Sequence, residues 1–473
     1  MGLDSKVERG RRQLAAAFRR LSAIASCLAA LTGGAAAAEA VDRPRLEQQV
    51  ETYLQPLLRT NNFSGVILVA AGDRIVLHKA YGHASIEHQV PNRAETRFQI
   101  ASVSKPFTAA AIMLLAEQGK IDLHAPLSAV LLGYPNGDRL TIHHLLTHTS
   151  GIPNINDFPE YEEIQRRPHS PAELVAHFRD RPLEFEPGSR YAYSNSNYNL
   201  LALIVERASG SEFGSFLNSA ILAPLGLRET GHHGSAAQII PNIATGYAPA
   251  GAIGLERAAY LDWSVKTGNG SLYSTAGDLL RFIRAVHEGR LLSRESLAAT
   301  FTAHSPNVGY GWFLSTANGR RIHHINGRSP GWSAQADYYA DDGVTVIVLS
   351  NSYISVTTQV ARAVGALFFG LPPQPLPALR PEPLDLEEVA ALAGAYQFGP
   401  DYYVPNALIT VSSNGGHLEA MVGEAGPFAF VQISPTRFLI RSFWVPAEFT
   451  LGADGRATEL VIDDRRGRRV AGR

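Results

Sequence analysis

Strand-like segments stand at both ends of a long helical stretch, and this order constrains the fold of the chain more than any other feature. Near the start, Phe63 to Tyr81 reads as two strands joined at Ala71-Gly72-Asp73. From about Ser102 to Val286 the pattern is helical and rich in loops. Strand character returns with Tyr310 to Ser315, a turn at Asn318-Gly319, Arg321 to Asn326, Trp332 to Tyr339 and Val344 to Leu349. Val356 to Phe369 then closes as an amphipathic helix, and Leu46, Val50, Leu54 and Leu57 place another ahead of the first strands, interrupted by Pro56. The two terminal segments must complete one sheet, so the expected class is α+β: an antiparallel sheet flanked by helices, with a helical insertion.

A chain of 473 residues with 45% hydrophobic side chains can bury one large core and a smaller one. The second core is expected at the far end. Six prolines between Pro372 and Pro383 exclude helix and interior strand, so residues 371–386 read as a stiff linker following a catalytic domain over 41–370. Beyond it, Ile409 to Val411, the Asn414-Gly415 turn, Leu418 to Val422, Phe428 to Ile433, Phe438 to Phe443 and Glu459 to Ile462 read as short strands of a small all-β domain, 387–473. Few contacts are expected to cross such a linker.

A formal net charge of −1 without charged blocks implies neither nucleic acid nor an anionic membrane surface as partner. The first forty residues read as an export signal. Arg11, Arg12, Arg19 and Arg20 precede an apolar stretch from Leu21 to Leu31, too short for a stable membrane span, and cleavage is expected after Ala40. Lipidation at Cys27 is the alternative, with only six residues of apolar segment before it. The product is a periplasmic or secreted protein. Cys27 is the only cysteine, so a chain cut at Ala40 has no thiol for catalysis, disulfides or thiolate metal sites.

Chemistry concentrates at Ser102-Val-Ser-Lys105. Residues three apart share a helix face, so the Lys105 ammonium can stand beside the Ser102 hydroxyl and help to remove its proton. The chain has five lysines, and only Lys105 has a serine three residues before it. The run after it, Phe107 to Leu115, is too apolar for a surface helix, and a lysine at the entrance of a buried helix needs a reason. A second element is Tyr193-Ser194-Asn195. Near a lysine, Tyr193 is expected to have a depressed pKa and to exchange a proton with Ser102, while Asn195 holds Lys105.

Together the two elements resemble the penicillin-recognising serine hydrolases, specifically the class C β-lactamase-like branch with D-alanyl-D-alanine carboxypeptidases, D-aminopeptidases and related esterases. Phe63 to Val69, Leu145 to Gly151, Pro187-Gly188, Ser274 to Asp278 and Val348 to Asn351 look like further landmarks of that family, in its order, across roughly Arg45 to Phe369. The resemblance implies a β-lactamase/transpeptidase-like fold and an acyl-enzyme on Ser102, with Lys105 and Tyr193 sharing the base role and Asn195 positioning them. It also implies an oxyanion hole from the Ser102 N–H and an N–H near Gly327. No metal or cofactor is implied. The substrate would be a small molecule or short peptide, including pieces of cell wall, and the alternative is a catalytically silent cell-wall binding or sensing protein on the same fold.

Its third motif, a cation, any residue and then Gly on a strand facing the nucleophile, is where the sequence departs. Lys266-Thr267-Gly268 lacks a strand context. The better candidate is His324-Ile325-Asn326-Gly327-Arg328, and counting back from Pro330-Gly331-Trp332 puts Ile325 at the cation position. A one-residue shift would put His324 there instead, and Arg328 could reach back from beyond Gly327. His324, Asn326, Gly327 and Arg328 are therefore the candidate substrate-binding residues. His144 and His148, four apart, and His323 beside His324 could suggest a metal site, but no His-Glu-x-x-His pattern accompanies them and they read as structural hydrogen-bonders.

Overall fold

The structure, a computed structural model, describes residues 42–423 and 425–470; the expected export signal, its cleavage point and Cys27 lie outside the described residues. Helix α1, Arg43–Arg59, starts at Asp42, whose carboxylate accepts from the Arg45 N–H, and buries Leu46, Val50, Leu54 and Leu57. It is followed by β1, Gly65–Ala71, and β2, Arg74–Tyr81. Within the helical insertion lie α2, Lys105–Glu117, α3, Asn195–Ser209, and α4, Ala276–His287. The sheet resumes with β3, Phe313–Ala317, β4, Arg320–Ser329, β5, Trp332–Tyr339, and β6, Val344–Ser350, before α5, Thr357–Phe368.

The six strands run antiparallel in the order β3-β4-β5-β6-β1-β2, so β1 is hydrogen-bonded between β2 and β6, as the two-ended pattern requires. Every residue of β1 is buried because both faces are covered. Ile67, Val69 and Ala71 pack with α1 and α5, while Val66, Leu68 and Ala70 face the helical insertion. Asn318 and Gly319 both take left-handed φ, 53° and 73°, which suits the tight β3–β4 turn. Helix α2 is buried on nearly every side, its Phe107 ring stacked on Phe282 of α4.

The C-terminal strands Gly394–Phe398, Leu408–Asn414, His417–Val422, Ala425–Ser434, Arg437–Ile440, Val445–Leu451, Ala457–Ile462 and Arg465–Val470 close into one barrel. First and last strands pair, Ala395 opposite Val470. The interior is filled by Tyr396, Ile409, Leu418, Phe430, Phe438, Phe449 and Leu460. Three of these strands, Gly394–Phe398, Val445–Leu451 and Arg465–Val470, are not among those expected from the sequence. The last reads as a run of arginines, yet Gly467 faces inward beneath the Phe398 ring, where an added Cβ would come within 2.3 Å of it.

Two expectations need correction. The linker is not a free spacer, since Tyr53 donates to the Gln374 carbonyl (3.1 Å), Gln359 donates to that of Pro375 (3.2 Å), and Leu376 joins the core under α1 and α5. Nor does the strand after the Thr436 turn reach Phe443. It ends at Ile440, and Arg441 to Trp444 leave the barrel to insert into the catalytic part of the chain, so contacts across the linker are many.

Candidate active site

Ser102 sits in a 3₁₀ turn, Ala101–Ser104, immediately before α2. In that geometry residues three apart eclipse one another, which brings Lys105 Nζ to 3.0 Å from Ser102 Oγ. Ala101 is held at φ 46°, an unfavourable region for a residue with a Cβ, as is common beside functional groups. The remaining Lys105 donors reach Asn195 Oδ1 (2.9 Å) and the Asn269 carbonyl (3.0 Å), so three hydrogen bonds satisfy the ammonium. Burial, and secondarily the charge of Lys266, hold the Lys105 pKa well below the ordinary lysine range. Lys266 lies in the turn Trp263–Lys266 and donates to the Tyr161 hydroxyl (2.7 Å). The Lys266-Thr267-Gly268 run is therefore not a strand facing the nucleophile. It backs Lys105 from behind.

Tyr193 OH stands 3.1 Å from Ser102 Oγ and donates to Asn195 Oδ1 at 3.3 Å. Asn195 opens α3, its backbone N–H donating to Asn154 Oδ1 (2.9 Å) and its amide to Asn156 Oδ1 (2.8 Å). The His148 ring lies 4.5 Å from that of Tyr193 and its Nδ1 accepts from the Ser194 N–H (3.2 Å). Burial, with Lys105 nearby, pushes His148 down to about 3, so this histidine is a neutral platform beneath Tyr193. The expectation of a depressed Tyr193 pKa is not met. Burial pushes its hydroxyl up, outweighing the opposing Ser102 hydrogen bond. The residue as a whole is nevertheless 37% exposed.

Strand β4 settles the register question. Among the described residues β3 pairs with β4 only from Arg320 to His324, so the backbone edge from Ile325 to Ser329 is open, and the Ser102 turn packs beside it. A Cβ on Gly327 would lie 2.3 Å from the Ile100 carbonyl and 3.0 Å from the Ser102 nitrogen, which is why only glycine fits there. Ile325 shares that face and lines a cavity of about 10 Å³ with Lys105, His148, Tyr193, Tyr198, Trp312 and Phe313. That is room for about one water molecule in largely apolar walls.

His324, Asn326 and Arg328 alternate onto the opposite face, so none of them meets Ser102. His324 pairs with Asp337 across the ladder, beside the Asp337–Arg362 ion pair (3.0 Å), and burial pushes it down to about 3. Asn326 lies opposite Gln335, which bonds Thr358 of α5. Arg328 is engaged by the barrel through the Ser442 carbonyl (3.2 Å). These three are thereby corrected as substrate contacts, whereas Gly327 stands at the nucleophile. At the far end of β4 a second cavity, about 290 Å³, opens between His233, Gly246, Tyr260, Trp263, Pro330 and Trp332.

Sequence reasoning did not find Asn269, Asn154 or Asn156, and met Lys266 only as part of an apparent motif. A backbone carbonyl has no sequence signature, and the asparagines sit in a loop. His148 lies in the landmark run Leu145 to Gly151 and could have been found there. Among the described residues no helix is long and apolar enough to cross a membrane.

The family profile described as Beta-lactamase matches residues 50–367. A penicillin-binding protein of Bacillus subtilis (strain 168) is 30% identical over 89% of this chain and 98% of its own length. Among solved structures, a penicillin-binding protein from Bacillus halodurans is 28% identical with TM-score 0.60, covering 67% of this chain and 98% of that one. A D-amino acid amidase from Ochrobactrum anthropi SV3, solved with L-phenylalanine amide, is 22% identical with TM-score 0.62 and covers 69% and 99%, a likeness of fold.

Proposed function

Because the chain belongs to the beta-lactamase family, with the profile matching residues 50–367, we propose that it is a serine hydrolase working through a covalent acyl-enzyme on Ser102. Its substrates on this reading are small amides or esters that need no free carboxylate. The observation that carries the reading is the placement of Ser102 Oγ within 3.1 Å of both a base and a proton carrier, Lys105 Nζ and Tyr193 OH.

Burial favours the neutral amine of Lys105, which takes the Ser102 proton as Oγ attacks the substrate carbonyl. The developing oxyanion meets the Ser102 N–H and an N–H of the open β4 edge near Gly327. Tyr193, whose hydroxyl keeps its proton, passes it to the leaving amine or alkoxide as the bond to the carbonyl carbon breaks. Lys105 returns the Ser102 proton to Tyr193 through the Ser102 oxygen to which both are hydrogen-bonded, and water then attacks the acyl-enzyme by the reverse sequence. Asn195 keeps the two groups in register.

That no free carboxylate is needed rests on Ile325, which fills the position where the resemblance leads one to expect a cation. We further propose that the first forty residues deliver the enzyme to the periplasm or exterior. The test is intact-protein mass spectrometry after incubation with a β-lactam, a phosphonate and an activated ester. An adduct on Ser102, lost in Ser102→Ala, is expected. An adduct surviving that substitution, or none with any probe, would defeat the reading and favour a silent binder.

A further inference from the structure

Arg441 is completely buried, yet it belongs to the barrel and has no carboxylate partner among its contacts. Its Nε donates to Asn62 Oδ1 (2.7 Å), Nη1 to the carbonyls of Gly254 (2.6 Å) and Gly251 (3.1 Å), and Nη2 to those of Asn61 (3.1 Å) and Thr60 (3.3 Å). Burying a guanidinium is costly unless its donors are satisfied, and here carbonyls at the end of α1 and in the hairpin Tyr247–Arg257 satisfy them all. A tether would not need such an anchor, since the linker already joins the two parts.

What the anchor holds is the back of the catalytic strand. Directly after Arg441, the Ser442 carbonyl accepts from Arg328 (3.2 Å) and from the Ser355 N–H (3.1 Å). The Arg328 guanidinium carbon then lies over the Tyr353 ring at 3.7 Å and the Phe443 ring at 4.5 Å. Trp444 completes the loop by donating to Gln359 of α5 (2.6 Å). Arg328 follows Gly327, whose Cα faces the Ser102 nitrogen. On the other side, the residue before the hairpin, Gly246, packs so tightly on Gly331 and Trp332 that a Cβ there would come within 3.0 Å of both. The exit of β4 is thus held from two directions, and Arg441 secures both.

We propose that the barrel loop Arg441–Trp444 is a positioning element of the active site, with Arg441 as its anchor and Arg328 as the arm through which it sets the open edge of β4 against Ser102. Neither arginine touches substrate. Their effect runs through backbone placement, where a displacement of about 1 Å can cost up to about a hundredfold in rate. The kinetic part rests on the acyl-enzyme reading; the structural part does not.

The test uses the full chain with Arg441→Lys, which keeps the charge but not the fork, and Phe443→Ala, which removes one face of the Arg328 sandwich at a half-exposed site. Two readouts are taken: kcat and KM on an activated ester, and hydrogen exchange of the peptide covering Ile322 to Ser329. Both variants should exchange faster there, with kcat down by about fivefold or more and KM within about twofold, the signature of lost transition-state positioning. The Phe443→Ala protein should melt within a few degrees of wild type, and it decides the matter if Arg441→Lys fails to fold. Unchanged exchange at β4 in Phe443→Ala overturns the proposal whatever the activity. Wild type that exchanges as described but never turns over ester would instead sink the acyl-enzyme reading.

Discussion

Lys105 has to lose its proton before it can take one from Ser102, and the residues that arrange this are not the ones that touch the nucleophile. Burial is the larger cause of its low pKa and Lys266 the second. Because the folded pKa lies below the unfolded one, the unfolded chain binds more protons between the two values. This contribution therefore makes stability rise with pH across that window. Activity should follow the same group, rising as Lys105 deprotonates. Replacing Lys266 by Met removes a neighbouring positive charge, so Lys105 should hold its proton more tightly and the acid limb of kcat/KM should move to higher pH. A pH profile in which that limb stays put or moves down would refute the coupling. The Ser102–Lys105 pair was legible because side-chain spacing maps directly onto a shared face. Lys266 was legible only as an apparent motif, since its part depends on a turn, Trp263–Lys266, that folds it behind Lys105. The Tyr193 expectation failed for a related reason: the burial that pushes its hydroxyl up depends on the fold and has no sequence signature.

At the scale of a single strand, β4 turns a two-residue period into a division of labour. Ile325 and Gly327 face the nucleophile, while His324, Asn326 and Arg328 face α5 and the barrel loop. The register counted back from Pro330-Gly331-Trp332 was readable because alternation is strict; the partners of the outward face were not, since that of Arg328 lies 114 residues farther along. The structure predicts that a free-carboxylate substrate and its methyl ester will be turned over at similar kcat/KM. His324→Ala and Arg328→Ala should leave that ratio unchanged even where overall rate falls. Introducing a cation with Ile325→Lys should favour the carboxylate by about tenfold or more, since a charge-assisted hydrogen bond contributes roughly 1.5–3 kcal/mol. A wild-type preference of tenfold for the free acid would defeat this account. Gly327→Ala tests the same strand from the other side. Its Cβ would meet the Ile100 carbonyl at 2.3 Å, so kcat should fall by about a hundredfold or more with a modest drop in melting temperature. Activity near wild type would mean that β4 does not approach Ser102 this closely.

For the whole molecule, the two ends of the chain differ in how far each can stand alone. The barrel closes on itself and fills its interior with its own side chains, from Tyr396 to Leu460. Its lead-in helix, Leu386–Leu392, carries a complete capping box between Asp385 and Glu388. Arg441 is at ease in water once undocked. The catalytic part is less self-sufficient. Leu376 of the linker and Trp444 of the barrel both pack against the core beneath α1 and α5, and Arg441 donates to Asn62 Oδ1 and to the carbonyls that close α1. Proline density described the stiffness of the linker correctly and said nothing about where it or the barrel docks, because docking depends on surfaces that only the fold assembles. A fragment from Asp385 to the C-terminus should therefore fold and melt cooperatively by itself. A chain truncated after Gly370 should be recovered in lower soluble yield and melt well below the full-length protein, because it uncovers apolar surface around Tyr53 and strips Asn62 Oδ1 of its Arg441 donor. Thermal unfolding of both fragments beside the full chain measures this. A truncated catalytic part that melts where the intact protein does would show that the barrel contributes nothing to its stability, and that contacts as buried as Arg441 can be lost there without cost.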